Sequence, residues 1–471
     1  LSRAGFEPLV LEAGSGTASL GFSARLGGIT VARRKRPLTR RQDLSLVGDP
    51  TAELFEVLAP GGLSNHWACA VPRFSPDDFA DAARGGEACT WPLGYDELAP
   101  FYDRVEPLLH IAGSPRAVPA LPAGRIASER SISRAWDGVV REAAAIGRDV
   151  VAMPYAYGAA TMFTPAATAF NAYTRLIKPL ERSGGLSVRY DAQVLRLVWS
   201  GSERRVVAVV CRDQSGGEHT IPCRAVVLAA GAVNSAQILL ESTSPDFPDG
   251  LGNSHGVLGR YLHDHPVGKL VLDLAHPLPV APASYITRPT LERTTPLYAA
   301  AFMQWAGTLQ RGRALASLHP GMTTELGFTI FGTMPPTLDN FVALDRKRSA
   351  RGRAALEYAL TYPPPALALL EQARDEALGI FERAGLGPRV RVFKIEPPGA
   401  SVHYGGTCRM HASPRFGVVD RDCRVHGVKN VFVGDSAVFT TGPEKNPVLT
   451  AMALADRASE VLSADMRSGD L

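Results

Sequence analysis

An apolar run over residues 219–228 passes into the small residues Ala229-Ala230-Gly231-Ala232 and then into a helical stretch over 233–241. A strand that enters a helix through small residues is the grammar of a dinucleotide-binding α/β fold. The start of the chain repeats it. A turn at Ala4-Gly5 leads to a short apolar strand, Pro8-Leu9-Val10-Leu11, which ends at Glu12 ahead of Ala13-Gly14. An acidic residue at the end of the second strand of a βαβ unit is the group that grips an adenosine ribose hydroxyl. In such units the glycine-rich phosphate loop lies ~20 residues before the acid. Counting back from Glu12 passes Leu1, and no G-x-G-x-x-G occurs anywhere in the sequence. Gly14-Ser15-Gly16 lies on the wrong side of the strand. The expectation is an N-terminal strand and phosphate loop missing from these residues.

Composition narrows the rest. At 471 residues the chain can hold about two or three domains. With 45% hydrophobic and 20% charged residues it is neither disordered nor fibrous. A net charge of +4 does not point to nucleic acid. The longest apolar stretch, 225–240, is broken by Gly231, Asn234, Ser235 and Gln237, short of the ~20 residues of a membrane span. Six scattered cysteines without C-x-x-C spacing argue against a zinc ribbon, a redox dithiol or a disulfide framework, and favour a reducing, cytoplasmic setting. The sequence opens without Met, so a signal peptide upstream is not addressed.

Further elements follow from pattern. The run Arg33-Arg34-Lys35-Arg36 with Arg40-Arg41 reads as a solvated loop face. In Pro60-Gly61-Gly62-Leu63-Ser64-Asn65-His66-Trp67, adjacent glycines let the backbone approach a ligand closely. Phe101, Val105, Leu108 and Leu109 mark an amphipathic helix over 99–109. Strand-like runs cover 186–198 and 205–212, joined by a turn at Gly201. Residues 266–400 lack the dinucleotide grammar. They hold an apolar strand over 269–274, a basic loop Arg346-Lys347-Arg348, and a helix over 366–384 closed by Gly385. The expected division is α/β (α+β overall). A Rossmann-like domain is split into 1–75, 185–265 and 401–471, with a connecting, substrate-facing segment at 76–184. An inserted substrate domain of antiparallel sheet plus helices covers 266–400.

The C-terminal seventy residues carry the chemistry. His403-Tyr404-Gly405-Gly406-Thr407-Cys408-Arg409-Met410 precedes a strand-like run over 428–433 that ends in Gly434-Asp435-Ser436. Asn446-Pro447-Val448-Leu449-Thr450 then opens a helix over 451–462. An amide side chain and free N–H groups at a helix N-terminus suit a negative charge, including that of a reduced isoalloxazine. Asp435 at a strand end suits a ribityl or ribose hydroxyl. His263 and His265 lie at i, i+2 without a third ligand cluster and read as structural, with no metal expected. Cys69 and Cys408 read as buried small residues, and His411 and His426 carry no assigned role.

Separated segments in this order resemble the glucose–methanol–choline flavoprotein oxidoreductases, and among them the pyranose oxidase branch most. They are the Leu-Glu-Ala-Gly strand end, Gly61-Gly62 with His66-Trp67, residues Ala229 to Ser235, the run Gly259-Arg260-Tyr261-Leu262-His263-Asp264-His265-Pro266, and the His403 and Asn446 segments. The resemblance implies an FAD-binding domain and His-assisted oxidation of an alcohol, a sugar or glycoside hydroxyl foremost, with hydride passing to flavin N5. Oxygen or another acceptor would reoxidise the flavin. A non-sugar alcohol, or the redox-silent hydroxynitrile lyases of the same family, are the alternatives. His403 matches the catalytic histidine and Asn446 its partner. Glu12 matches the ribose ligand and Val194 the residue whose backbone meets adenine. Gly61, Gly62, Ser64, Asn65, Ala230 and Gly231 match cofactor-side segments, and Asp435, Pro447 and Val448 match contacts to the ribityl chain and pyrimidine ring. In pyranose oxidases the histidine of a His-Trp-Thr-Cys-Ala run is bonded to the flavin 8α-methyl. Here Ala68 replaces that threonine, and related dehydrogenases carry Asn-His-Trp with non-covalent flavin, so both attachments at His66 stay open. Association with further copies of the chain is also left open.

Overall fold

The computed structural model describes residues 1–16, 23–26, 29–32, 39–41, 44–157, 170–279, 282–290, 299–305, 322–350 and 353–471. The basic run at 33–36 lies outside them. Arg41 is buried rather than solvated. Its guanidinium donates to Asn234 Oδ1 and Gln237 Oε1, each at 2.7 Å, and so ties its segment to the helix Ala232–Glu241.

Two short parallel ladders carry the dinucleotide grammar. Leu9–Leu11 runs beside Ser187–Arg189, and Val226–Leu228 beside Val431–Val433. Glu12, Ala229 to Gly231 and Asp435 all follow the carboxyl ends of these strands, where open α/β sheets bind ligands. Two of the expected strands are each divided. The run over 186–198 breaks at Asp191, which takes a left-handed φ of 56°, and resumes as Gln193–Ser200 in an antiparallel sheet. The run over 219–228 splits into Glu218–Pro222, in that same sheet, and Val226–Leu228 in the parallel pair. Pro222, which has no N–H to donate, ends the first piece. Asn430 pins the crossing, donating to Val206 O at 2.7 Å and Arg224 O at 2.8 Å.

A six-stranded antiparallel sheet forms the other layer. Its order is Arg389–Ile395, Val267–Pro279, Met322–Gly332, Ala300–Trp305, Ser284–Ile286 and Val150–Ala152. Side chains alternate between its faces. Leu270, Leu272, Phe302, Phe328 and Ile330 pack on the helices Asp137–Ala144 and Pro364–Arg383 through Val139, Leu370 and Phe381. Burying each such side chain contributes about 1.5–3 kcal/mol. The opposite face presents Val267, Phe331, Ala301, Met303 and Tyr285, and it packs with Ala70 just beyond His66-Trp67. The basic triplet Arg346-Lys347-Arg348 is not a loop. It lies exposed in the strand Phe341–Ala350, where the pairing with Arg353–Ala359 slips between Asp345 and Ser349.

Helices begin earlier than their periodicity indicates. Residues 99–109 belong to Tyr95–Leu109, whose start is capped by Glu97 accepting from Gly94 N at 3.2 Å. The helix over 366–384 runs Pro364–Arg383, with Gly385 at φ 76° closing it. The last helix spans Val448–Ser468. No described helix is long and apolar enough to cross a membrane.

Candidate active site

One buried carboxylate organises the loop that bears His403. Asp264 Oδ1 accepts from His403 N at 2.8 Å, and Oδ2 accepts from Ser401 N at 3.1 Å. The Ser401 hydroxyl also donates to Asp264. The loop is thereby fastened just ahead of the strand Val267–Pro279, whose Phe331 neighbour sets its ring 5.5 Å from the His403 ring. His403 Nδ1 then meets His265 Nδ1 at 2.9 Å, and Nε2 faces Asn446 Nδ2 at 3.4 Å. The two residues expected to share the chemistry are brought together, although 43 positions separate them.

Burial sets the protonation of this cluster. It pushes the His403 imidazole well below the usual histidine range, with His265 and Lys269 nearby acting in the same direction. Burial also lowers His265 to about 4 and His263 to about 3, while it raises Asp264 to about 6. At neutral pH the three imidazoles are uncharged, so each has one N–H and one bare ring nitrogen.

These shifts predict the pH dependence of stability. Below about pH 6.5, unfolding takes up a proton at each of the three histidines, which the folded protein does not hold. Their stabilising effect is full above that pH and falls by about 1.4 kcal/mol per pH unit for each as the pH drops. Asp264 and Asp81, raised by burial to about 6 and about 7, oppose two of the three as the pH falls towards 4, because there the folded state holds protons that the unfolded chain has released. The urea midpoint should therefore be lower at pH 5 than at pH 7; an equal or higher midpoint at pH 5 contradicts the assignment.

Behind Asn446 lies a cluster that the motifs did not reveal. Lys445, fully buried, contacts Asp78 Oδ2 at 2.8 Å and Glu444 Oε1 at 2.7 Å. Arg288 lies 3.2 Å from Asp78 and 3.5 Å from Glu444. Two cations thus balance two carboxylates beneath the entry to the last helix. The only local signal was the charged pair Glu444-Lys445 placed directly before Asn446-Pro447.

The remaining candidates fall into three groups. At the double glycine, Gly61 and Gly62 have φ of 92° and 50°, and a Cβ on Gly61 would lie 2.9 Å from the Asn171 amide. Ser64 Oγ donates to Gly61 O at 2.5 Å, and Asn65 Nδ2 donates to Gly62 O at 2.7 Å. Their side chains hold the turn, so the backbone is what this segment offers a ligand. His66 ends the turn, its N–H bonded to Leu63 O at 2.9 Å. In the second group, Asp435 Oδ2 accepts from Gly231 N at 2.9 Å and from Ser235 Oγ at 2.6 Å, while Ala230 N donates to Ser235 Oγ at 3.2 Å. In the third, Ala192 N donates to Glu12 O at 2.9 Å, two residues before Val194. Pro447 and Val448 open the last helix, whose first turn has neither a side-chain cap nor an acidic residue.

This donor set fits FAD. Strand-end carboxylates at Glu12 and Asp435 can accept from hydroxyls, and the uncapped helix start suits the electron-rich edge of an isoalloxazine. Gly231, at φ 82°, has no atom within 4 Å of where a Cβ would stand, which leaves the backbone open to a ligand. Among the described residues no group of three or more His, Cys, Asp or Glu is arranged to hold a metal ion.

Comparison with known proteins places the chain in a family. Family models for GMC oxidoreductase, N- and C-terminal, match residues 90–267 and 336–455. A 2-methyl-1,2-propanediol dehydrogenase of Mycolicibacterium austroafricanum is 27% identical over 86% of this chain and 80% of its own. A paromamine 6'-oxidase of Streptomyces fradiae is 27% identical over 87% of this chain and 77% of its own. The crystal structure of pyridoxine 4-oxidase from Mesorbium loti shares the fold at a TM-score of 0.59 and 16% identity, covering 98% of this chain and 94% of that one. With both family models matching along most of its length, the chain belongs to the GMC oxidoreductases, a family of FAD-binding enzymes that act on CH–OH groups.

Proposed function

We propose that this chain oxidises a sugar or glycoside hydroxyl to a carbonyl, with His403 as the base and Asn446 as the group that orients the alcohol oxygen. The observation that carries the reading is the 3.4 Å approach of Asn446 Nδ2 to Nε2 of an uncharged His403. An alcohol oxygen lying to one side of the pair, in reach of both nitrogens, gives its proton to Nε2 and accepts from the amide, within the 2.6–3.2 Å or so that proton transfer requires. Asn446 does not titrate, so its part is positional. FAD, when bound, supplies the acceptor for the hydride that leaves the carbinol carbon. Segments 1–75, 185–265 and 401–471 would hold it. Glu12 and Asp435 would accept from its hydroxyls, the Val194 backbone would meet adenine, and Pro447 with Val448 would meet the pyrimidine ring. Residues 266–400 would face the substrate, with 76–184 as the connection.

The paromamine 6'-oxidase relative favours a sugar hydroxyl, and the 2-methyl-1,2-propanediol dehydrogenase relative supports a second reading in which the same base acts on a small diol. Initial rates over a panel of glycosides, free sugars and diols, read both with oxygen and with an artificial acceptor, separate them. A kcat/KM highest for a glycoside or sugar supports the proposal; one highest for the small diol transfers the activity to the second reading.

Ala68, in place of a hydroxyl residue beside His66, favours a flavin held without a covalent bond. Acid precipitation of the holoenzyme should then release its colour to the supernatant. Colour that stays with the pellet, and is lost from it in His66→Ala, would place a bond at His66.

A further inference from the structure

We propose that His265 is a positioning residue that accepts the Nδ1 proton of His403 and thereby fixes the lone pair of the base on Nε2, facing the substrate. The inference rests on the reading of His403 as the base.

The argument is donor and acceptor arithmetic. The two Nδ1 atoms lie 2.9 Å apart, and one of them must carry the proton that joins them. His265 also hydrogen-bonds the backbone carbonyl of Pro443, which can only accept. A neutral imidazole has one N–H. With Nδ1 turned to His403, the N–H that meets Pro443 is on Nε2, and Nδ1 of His265 is left as an acceptor. His403 therefore donates from Nδ1. The other side of His403 is compatible with this assignment. Asn446 presents Nδ2, a donor, to Nε2, which suits a bare nitrogen.

His265 is held for this task. Only 3% of it is exposed, its ring meets Phe331 edge-on at 5.5 Å, and its carbonyl accepts from Tyr362 Oη at 2.7 Å. Its low proton affinity keeps it neutral at working pH. The charged or titratable groups around the pair include Asp264, which holds the His403 backbone, Lys269 on the adjoining strand, and His263, which burial keeps neutral. In the reaction the hydroxyl proton moves to His403 Nε2 as the O–H bond breaks. The Nδ1–H bond to His265 persists and shares the new positive charge.

Long-range 1H–15N spectra of holoenzyme labelled with 15N-histidine, assigned with His265→Asn and His403→Ala, read the tautomer without reference to activity. His403 is expected to carry its proton on Nδ1. In kinetics, His265→Leu should lower kcat by about 10–100-fold with KM changed less than about threefold, because a base in the wrong tautomer forfeits much of its effect. His265→Asn places an oxygen where Nδ1 stood and should recover most of the loss. A proton on Nε2 of His403 in the wild type overturns the inference, as do Leu and Asn variants that are equally impaired or equally active. Should the Leu variant lose its flavin, the wild-type spectrum still decides. Unchanged turnover in His403→Ala would instead strike the underlying reading of the base, a separate result.

Discussion

His403→Ala should keep its flavin and lose roughly 10²–10⁴-fold in kcat, the usual contribution of a positioned general base. Among the described residues the side chain hydrogen-bonds His265 and Asn446 and meets the Phe331 ring, so its removal leaves the Asp264 contacts to the loop backbone in place. Flavin content and the urea midpoint should therefore stay close to wild type while turnover collapses. Asn446→Ala should be milder, about tenfold, since one neutral hydrogen bond contributes about 0.5–1.5 kcal/mol. The pH profile carries the same signature. A base held well below the usual histidine range stays competent as the pH falls through 6, so kcat/KM should lose its base only in more acidic solution. Steady-state rates for the two variants beside wild type, each normalised to bound flavin, check these expectations. A His403→Ala enzyme within about fivefold of wild type would remove the base from the mechanism.

Lys445→Met should cost about 3–5 kcal/mol, the loss expected when one partner of a buried ion pair is removed. Lys445 and its carboxylate partners Asp78 and Glu444 are all fully buried, and without the ammonium Arg288 alone faces both acids. The damage should reach the site, because Lys445 immediately precedes Asn446 and the uncapped start of the last helix. Adding Asp78→Asn to Lys445→Met should recover part of the loss by removing the uncompensated charge. Lys429→Met on the exposed surface is the control and should stay within about 0.5 kcal/mol. Urea unfolding of the holoenzymes measures all three. A Lys445→Met variant as stable as the control would mean that the cluster contributes nothing net.

Features written in contiguous residues are legible in the sequence. Glu12, Gly231 and Asp435 each follow a short apolar strand, and a strand ending in an acid or a small residue is a local pattern. The His403 and Asn446 segments were visible because each joins a reactive side chain to glycines or to a helix start. What escaped depends on distant contacts. The contact of His265 with His403 has no local signal, because i, i+2 spacing with His263 suggests no ligand pair and His403 lies 138 residues away. The ion cluster draws Asp78, Arg288 and Glu444-Lys445 from three separated segments, so no window of sequence contains it. Arg41 read as solvated because its neighbours are basic, but Asn234 and Gln237 on a remote helix bury it. The run over 219–228 kept its apolar pattern across a change of sheet, and Pro222 was the stop signal within it.

The most direct test of alcohol oxidation at His403 is anaerobic titration of the holoenzyme with the best glycoside or sugar from the rate panel. The oxidised-flavin absorbance should bleach with one equivalent of carbonyl product per flavin, and His403→Ala should bleach at least about 100-fold more slowly. Flavin that stays oxidised with every alcohol offered, or that bleaches equally fast in the variant, would contradict the account.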